Sequence, residues 1–123
     1  MFEVHISIGA SASHYWASAR YEDSKGTIHE RKIEGEQKAT VNGNHLEALI
    51  QAFGILQTPC MVTVHTESDY IAYAFKNGWV MKWEENGWKN QKGKEVRNVG
   101  QWKRLGAAMA RHSVRFLLER SAR

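Results

Sequence analysis

At 123 residues, with 42% apolar and 24% charged residues, the chain is long enough for one hydrophobic core and too apolar to be disordered. No run approaches twenty apolar residues, which argues against a membrane-spanning helix, and MFEVHISIG at the N-terminus lacks the basic and apolar regions of a signal peptide. The net charge of +4 conceals an asymmetry: residues 1–75 carry five Lys/Arg and nine Asp/Glu, residues 76–123 carry twelve and four. One end of a single domain spanning 1–123 is therefore expected to be electropositive. The lone cysteine, Cys60, has no internal partner, so a reducing cytoplasm is the expected compartment.

Residues 2–8 alternate Phe2, Val4, Ile6 and Ile8 with Glu3, His5 and Ser7, the period of a half-buried strand. Small residues from Gly9 to Ser13 form a turn. His14 to Glu22 reads as a second strand, Asp23-Ser24-Lys25-Gly26 as a hairpin turn, and Thr27 to Ile33 as a third strand. After a polar loop, Asn44 is the expected N-cap of a helix from His45 to Leu56, with Glu47 completing a capping box. Leu46, Leu49, Ile50 and Phe53 make its apolar stripe, and Thr58-Pro59 stops it. Cys60 to Thr66 is rich in β-branched residues and reads as an interior strand. Ser68-Asp69 caps a helix from Tyr70 to Lys76, and Gly78 breaks it. A last helix runs from Val99 to about Arg111 with Trp102, Leu105, Ala108 and Met109 on its apolar side. His112 to Leu118 alternates as a final strand, and ERSAR is a polar tail expected to fray. Three strands in a meander, then two more separated by helices, make a mixed α/β sheet.

Between Trp79 and Leu105 lies the least ordinary stretch. Four of the five tryptophans fall there, at positions 79, 83, 88 and 102, interleaved with seven Lys/Arg against three acids, Glu84, Glu85 and Glu95. Cations attract phosphates, and rings offer surfaces on which bases or sugars pack. Trp79 and Trp83, four apart, share one helix face, pointing either into a neighbouring helix or outward. Trp88, beside Lys89 in a turn, is the best stacking candidate, whereas Trp102 sits on an apolar stripe and reads as core. Lys89, Lys92, Lys94 and Arg97 are the expected phosphate contacts. The six histidines show no metal-ligand spacing, although His65 and Glu67 share a strand face. Cys60 reads as an inert core thiol.

The order of these elements resembles ribonuclease HI. The most specific part is GWKNQKGKEVRNVGQWKRL, residues 87–105, similar to the family's basic protrusion or handle, here about 79–98. VHTESDYI at 64–71, NGNHLEAL at 42–49 and ISIGAS at 6–11 are similar to three further family motifs in the right order. The resemblance implies a five-stranded mixed sheet with helices mainly on one face and, since this chain ends with the fifth strand, an absent C-terminal helix. Family members cleave the RNA strand of RNA–DNA hybrids with four carboxylates holding two magnesium ions. Glu47 matches the helix carboxylate. Glu67 stands where the family has aspartate, one methylene longer on a ligand that magnesium holds at about 2.0–2.1 Å. Ile8 replaces the first-strand aspartate and has no ligating atom. The fourth carboxylate would lie on the absent helix, and Ala122 falls near the place of the family's loop histidine. Asp69 and Glu119 are the nearby acids considered as substitutes. Asn44 and Gly43 resemble positions whose backbone approaches the RNA strand's 2′-hydroxyls, and plain capping explains Asn44 equally.

The expectation is a catalytically degenerate protein of this kind that binds RNA–DNA hybrid or another duplex through its handle, with Asn44, Trp79, Trp83, Trp88, Lys89, Lys92, Lys94 and Arg97 as contacts. No cofactor is expected, with Mg2+ or Mn2+ entering only if Glu47 and Glu67 keep a residual metal site and hence hybrid cleavage. A third reading comes from alternation: Glu3, His5 and Ser7 in the first strand, and Ser113 and Arg115 in the last, mark a sheet face that meets water, a protein partner or a second copy in a homodimer. Arg20 and His29 are candidates for the same face.

Overall fold

The computed structural model describes residues 2–119. Its elements are β1 (Phe2–Ala10), β2 (His14–Glu22), β3 (Ile28–Glu36), α1 (Val41–Ile55), β4 (Cys60–Thr66), α2 (Asp69–Lys76), α3 (Trp79–Glu85), α4 (Val99–Met109) and β5 (Ser113–Leu118). The strands form one sheet in the order β3-β2-β1-β4-β5. Short turns join β1, β2 and β3, which pair antiparallel; β4 and β5 arrive by helical crossovers and pair parallel to β1 and β4 respectively. The expected mixed sheet is therefore present, with the helices packed on one of its faces.

That face is apolar for a local reason. Register places Val4, Ile6 and Ile8 beside Ala19, Ala17, Val62 and Val64, and all of these are buried. Leu46, Leu49, Ile50 and Phe53 of α1 lie over them as the periodicity predicts. The β2–β3 turn is held by Asp23, whose Oδ1 accepts from the backbone N–H of Lys25 at 2.9 Å and Thr27 at 3.0 Å.

Several boundaries differ from expectation. Helix α1 begins at Val41, and its cap is Thr40, whose Oγ1 accepts from Gly43 N–H at 3.0 Å. A Cβ on residue 43 would sit 3.0 Å from that hydroxyl, a tight contact that glycine avoids. Asn44 is thus inside the first turn and does not cap with Glu47. Strand β3 continues to Glu36, because the pairing with β2 persists to His14 and because Gly35 lies beneath the Tyr15 ring. Its charged alternation hides it from a hydrophobic pattern. Strand β5 begins at Ser113. Arg20 and His29 lie on opposite faces: Arg20 pairs with His5, whereas His29 pairs with Tyr21, on which its ring stacks at 4.8 Å. Of the polar tail, residues 120–123, and Ala122 with them, lie outside the described residues.

Candidate nucleic-acid interface and carboxylate corner

The handle is anchored from below. Trp102 of α4 is fully buried, as expected, with its ring 5.5 Å from Tyr70, 5.7 Å from Phe75 and 5.4 Å from Trp83. Its Nε1 donates to Tyr70 Oη at 3.0 Å, which satisfies the one polar atom that burial would otherwise strand. Gly78, at φ +71°, turns the chain from α2 into α3. Trp79 and Trp83 then lie 6.5 Å apart on one face, and they divide the two roles: Trp83 is half-buried on Trp102, Trp79 is 37% exposed.

Beyond α3, Gly87 and Trp88 take successive left-handed conformations, φ +68° and +65°. The turn is held by Trp88 N–H donating to Trp83 O at 2.6 Å and Val96 N–H donating to Trp88 O at 2.9 Å. Trp88 is half-buried against the core, and Lys103 Nζ stands 6.0 Å from its ring centroid. Lys89 and Glu95 then bridge, closing a short hairpin. At its tip Asn90 Oδ1 accepts from the backbone N–H of Lys92 at 2.9 Å and of Lys94 at 3.1 Å. Buried Val96 fastens the return, and the hydroxyl of Tyr70 donates to Arg97 O at 3.5 Å.

The result is a braced backbone that carries cations. Lys89, Lys92, Lys94 and Arg97 are all exposed, and among the described residues none forms an ion pair with a carboxylate. Asn44 does not join them. Its side chain is fully buried, and Nδ2 donates to Ser11 O at 2.7 Å and Gln37 O at 2.9 Å, tying the β1–β2 turn to the loop before α1. A buried amide committed to two carbonyls offers no contact surface, so the side chain is a brace.

The carboxylate corner is built the other way. Glu47 on α1 is 7% exposed, and four donors reach its two oxygens. Oε1 accepts from Arg104 Nη1 at 2.9 Å and Gln101 Nε2 at 3.2 Å; Oε2 accepts from Arg104 Nη2 at 3.1 Å and Gln51 Nε2 at 2.8 Å. Burial alone would raise the Glu47 carboxyl, yet the hydrogen bonds from Arg104, Gln51 and Gln101 and the Arg104 charge outweigh it and hold the group below the ordinary carboxylate range. Glu67 is exposed just past the end of β4, close enough to His45 for its charge to favour the imidazolium there; burial is the larger influence and pushes the His45 value down. Ile8 is 9% exposed, packed in the core.

These residues do not fit a two-magnesium centre. Such a centre needs several oxygen ligands around hard cations with positions open for water and phosphate. Here one position is a buried alkyl chain, and the Glu47 oxygens already face a guanidinium. Among the described residues, no group of three or more His, Cys, Asp or Glu is placed to hold a metal ion.

Sequence reasoning missed the Glu47 partners. Gln51 was accessible in principle, because i and i+4 side chains meet on a helix. Gln101 and Arg104 share one face of α4 three residues apart, but their pairing with α1 depends on how two helices cross, which periodicity does not encode.

The sequence profile of the RNase H family matches residues 8–118, and the chain belongs to that family. It is 39% identical over 104 residues to Ribonuclease H of Lachnoclostridium phytofermentans, covering 83% of this chain and 65% of that protein. Against Ribonuclease H of Chlorobium chlorochromatii the identity is 36% over 87 residues, covering 70% and 60%. Against that of Thermus thermophilus it is 39% over 89 residues, covering 72% and 54%. The matched segment thus spans between 54% and 65% of these relatives' lengths. Among solved structures, LC9-RNase H1, a type 1 RNase H with the type 2 active-site motif, superposes with a TM-score of 0.80 at 24% identity, over 95% of this chain and 63% of its own. LC11-RNase H1 in complex with RNA/DNA hybrid gives 0.58 at 20% identity, over 95% and 83%. At these identities the superpositions establish the fold. No helix of the described residues is long and apolar enough to cross a membrane.

Proposed function

We propose that this member of the RNase H family is a nucleic-acid-binding protein that grips RNA–DNA hybrid or another duplex through its handle, residues 79–98 of one domain spanning 1–123, without cleaving it by the two-metal route. The observation that carries the binding half is the set of four exposed cations, Lys89, Lys92, Lys94 and Arg97, that form no ion pair with a carboxylate among the described residues, on a backbone braced by Trp88 and Val96. Cations carried on a hairpin whose backbone is held by its own hydrogen bonds meet a duplex by charge and shape, and binding of this kind is steeply salt-dependent. Trp79, 37% exposed at the start of α3, is the ring left for stacking. The relative whose structure contains an RNA/DNA hybrid supports that ligand class. Ile8 carries the other half: a buried alkyl side chain at the first-strand carboxylate position supplies no ligand. The single cysteine, a buried free thiol, accords with a reducing cytoplasm.

The relatives named Ribonuclease H favour a second reading, a Mg2+- or Mn2+-dependent hybrid ribonuclease that uses Glu47, Glu67 and further carboxylates. One experiment separates the two. Labelled hybrid is incubated with the protein and either metal, and retardation and cleavage are scored together. Retardation without cleavage is the expected result. Cleavage that Glu47→Gln abolishes establishes the second reading, and absence of both overturns the first. A third reading, a homodimer across the sheet face away from the helices, draws on exposed Trp16, Met61 and Leu117 there; light scattering that finds a monomer at high micromolar concentration removes it.

A further inference from the structure

The helix-side face of the sheet is not covered to its edge. Helix α1 ends at Ile55 and the chain continues as the loop to Cys60, which leaves a cleft of about 580 Å³ between the end of α1 and the strands β1, β2 and β3. Its floor is made by the buried side chains of Val4, Ala19 and Cys60. Phe2, two residues before Val4 on the same strand face, stays 51% exposed, with its ring 5.1 Å from that of Tyr21. These two rings line the cleft from the strands, and Ile55 and Leu56 line it from the helix.

The cleft is apolar below and cationic at its lip. Arg31 of β3 pairs in register with Ala19, which puts its side chain on the same face as the floor and one strand further out. Among the described residues Arg31 forms no ion pair. Glu30, next in sequence, is paired with Lys32 at 3.7 Å, and Nε2 of His29, the other titratable group in the lining from β3, lies 2.9 Å from Asp23 Oδ2. Helix α1 presents its carbonyl end here, so an anion is disfavoured beside Leu56, whose carbonyl accepts from Arg111 Nη2 at 2.7 Å. A bound anion therefore belongs at the β3 lip. The volume is within the range of about 300–1,000 Å³ typical of small-molecule sites.

We propose that this cleft binds a small apolar monocarboxylate, aliphatic or aromatic, with its carboxylate on Arg31 and its apolar body on the floor between Phe2 and Leu56. A guanidinium fork matches a carboxylate geometrically, and burying the body removes both its own apolar surface and the exposed part of Phe2 from water. A neutral apolar molecule gains only the second contribution, and a small hydrophilic anion only the first. The site uses neither the handle nor Glu47, so it is independent of the nucleic-acid reading, and Arg31→Ala is expected to leave hybrid retardation unchanged.

The test is titration of the full chain with octanoate, 2-naphthoate and neutral octan-1-ol, followed by calorimetry and by amide chemical shifts in nuclear magnetic resonance. One saturable acid per chain is expected, with shifts at Ala19, Arg31 and Leu56 and none at Lys92 or Lys94; the tighter of the two acids tells an aliphatic ligand from an aromatic one. Arg31→Ala should weaken both acids by about tenfold and octanol by less than about twofold. Phe2→Ser should weaken all three by about fivefold, since it removes apolar surface and no charge. Both positions are exposed, so the variants keep the fold, which circular dichroism checks. Changing Lys89, Lys92, Lys94 and Arg97 together to alanine should alter nothing, which separates the cleft from capture of the acid by the handle. No saturable binding, shifts centred on the handle, or an Arg31→Ala loss that is absent or equal for acid and alcohol overturns the proposal.

Discussion

The handle and the carboxylate corner share one helix and treat charge in opposite ways. Both are organised by α4, whose Trp102 supports the handle while its Gln101 and Arg104 close on Glu47. In the handle the polar backbone is satisfied internally and the cations are left in water. In the corner the charged side chains satisfy each other at a nearly buried site. Charges left in water cost little to keep and act on a polyanion over about a Debye length, roughly 8–10 Å. A carboxylate wrapped by a guanidinium and two amides projects little field and offers little to an incoming cation. Within one small sheet protein, then, the handle cations stay exposed while the Glu47 carboxylate is engaged in packing α1 against α4.

The sharpest way to break this contrast is at the shared support. Trp102→Ala removes a fully buried indole and its bond to Tyr70, and should cost about 3–5 kcal/mol of unfolding free energy in urea titration. A loss below about 1 kcal/mol would mean that Trp102 does not unite the two regions. Next in size is the handle itself. Changing Lys89, Lys92, Lys94 and Arg97 together to alanine should weaken hybrid binding about 100-fold at low salt, and every cation withdrawn from a phosphate should flatten the log–log salt dependence by about 0.9. Stability should move little, since such surface changes lie within about 0.5 kcal/mol each. Unchanged affinity would remove the handle from the interface.

What could be read beforehand follows from the range of each interaction. The strands β1, β2 and β4 and the apolar stripe of α1 were legible, because alternation and helical spacing are local. So were the turn-rich segment after α3, whose lysines and glycines lie close together in sequence, and Trp102 as core. The start of α1 was misplaced because Asn44 and Thr40 are both good caps, and only tertiary contacts with Ser11 and Gln37 draw Asn44 inward. The closure of Arg104 on Glu47 joins residues 57 apart, and the opposite facing of Arg20 and His29 depends on strand register; neither leaves a trace in a short window. Ile8 is the converse case: its apolar side chain marks it as core on periodicity alone, and its significance at the site comes from the motif it interrupts.

Within the corner, Arg104→Ala should lower stability by about 1–2 kcal/mol, because it leaves a nearly buried carboxylate with two amide donors and no cation. The guanidinium side chain is 53% exposed, and water screening keeps the figure at the low end for such pairs. Urea unfolding of this variant beside Lys103→Ala, whose ammonium sits over the Trp88 ring at the surface, tests whether the loss belongs to the corner. Equal losses would mean that Arg104 acts as an ordinary surface cation.

The smallest effect is the most diagnostic, since it reads the Glu47 charge itself. Its folded-state value lies below the ordinary one of 4.5, because hydrogen bonds and the Arg104 charge outweigh burial. The folded state therefore binds the Glu47 proton less readily than the unfolded chain does. That stabilisation is fully present above about pH 4.5 and is lost as pH falls through the folded value. Glu47→Gln cannot titrate, so it should be destabilised by about 1 kcal/mol at neutral pH and should show a shallower loss of stability between about pH 5 and 3. The two unfolding curves should converge toward the acid end. Parallel curves across that window would mean that Glu47 is ionised equally easily folded and unfolded, hence not held by Arg104 in solution, and its oxygens would again be available to a metal.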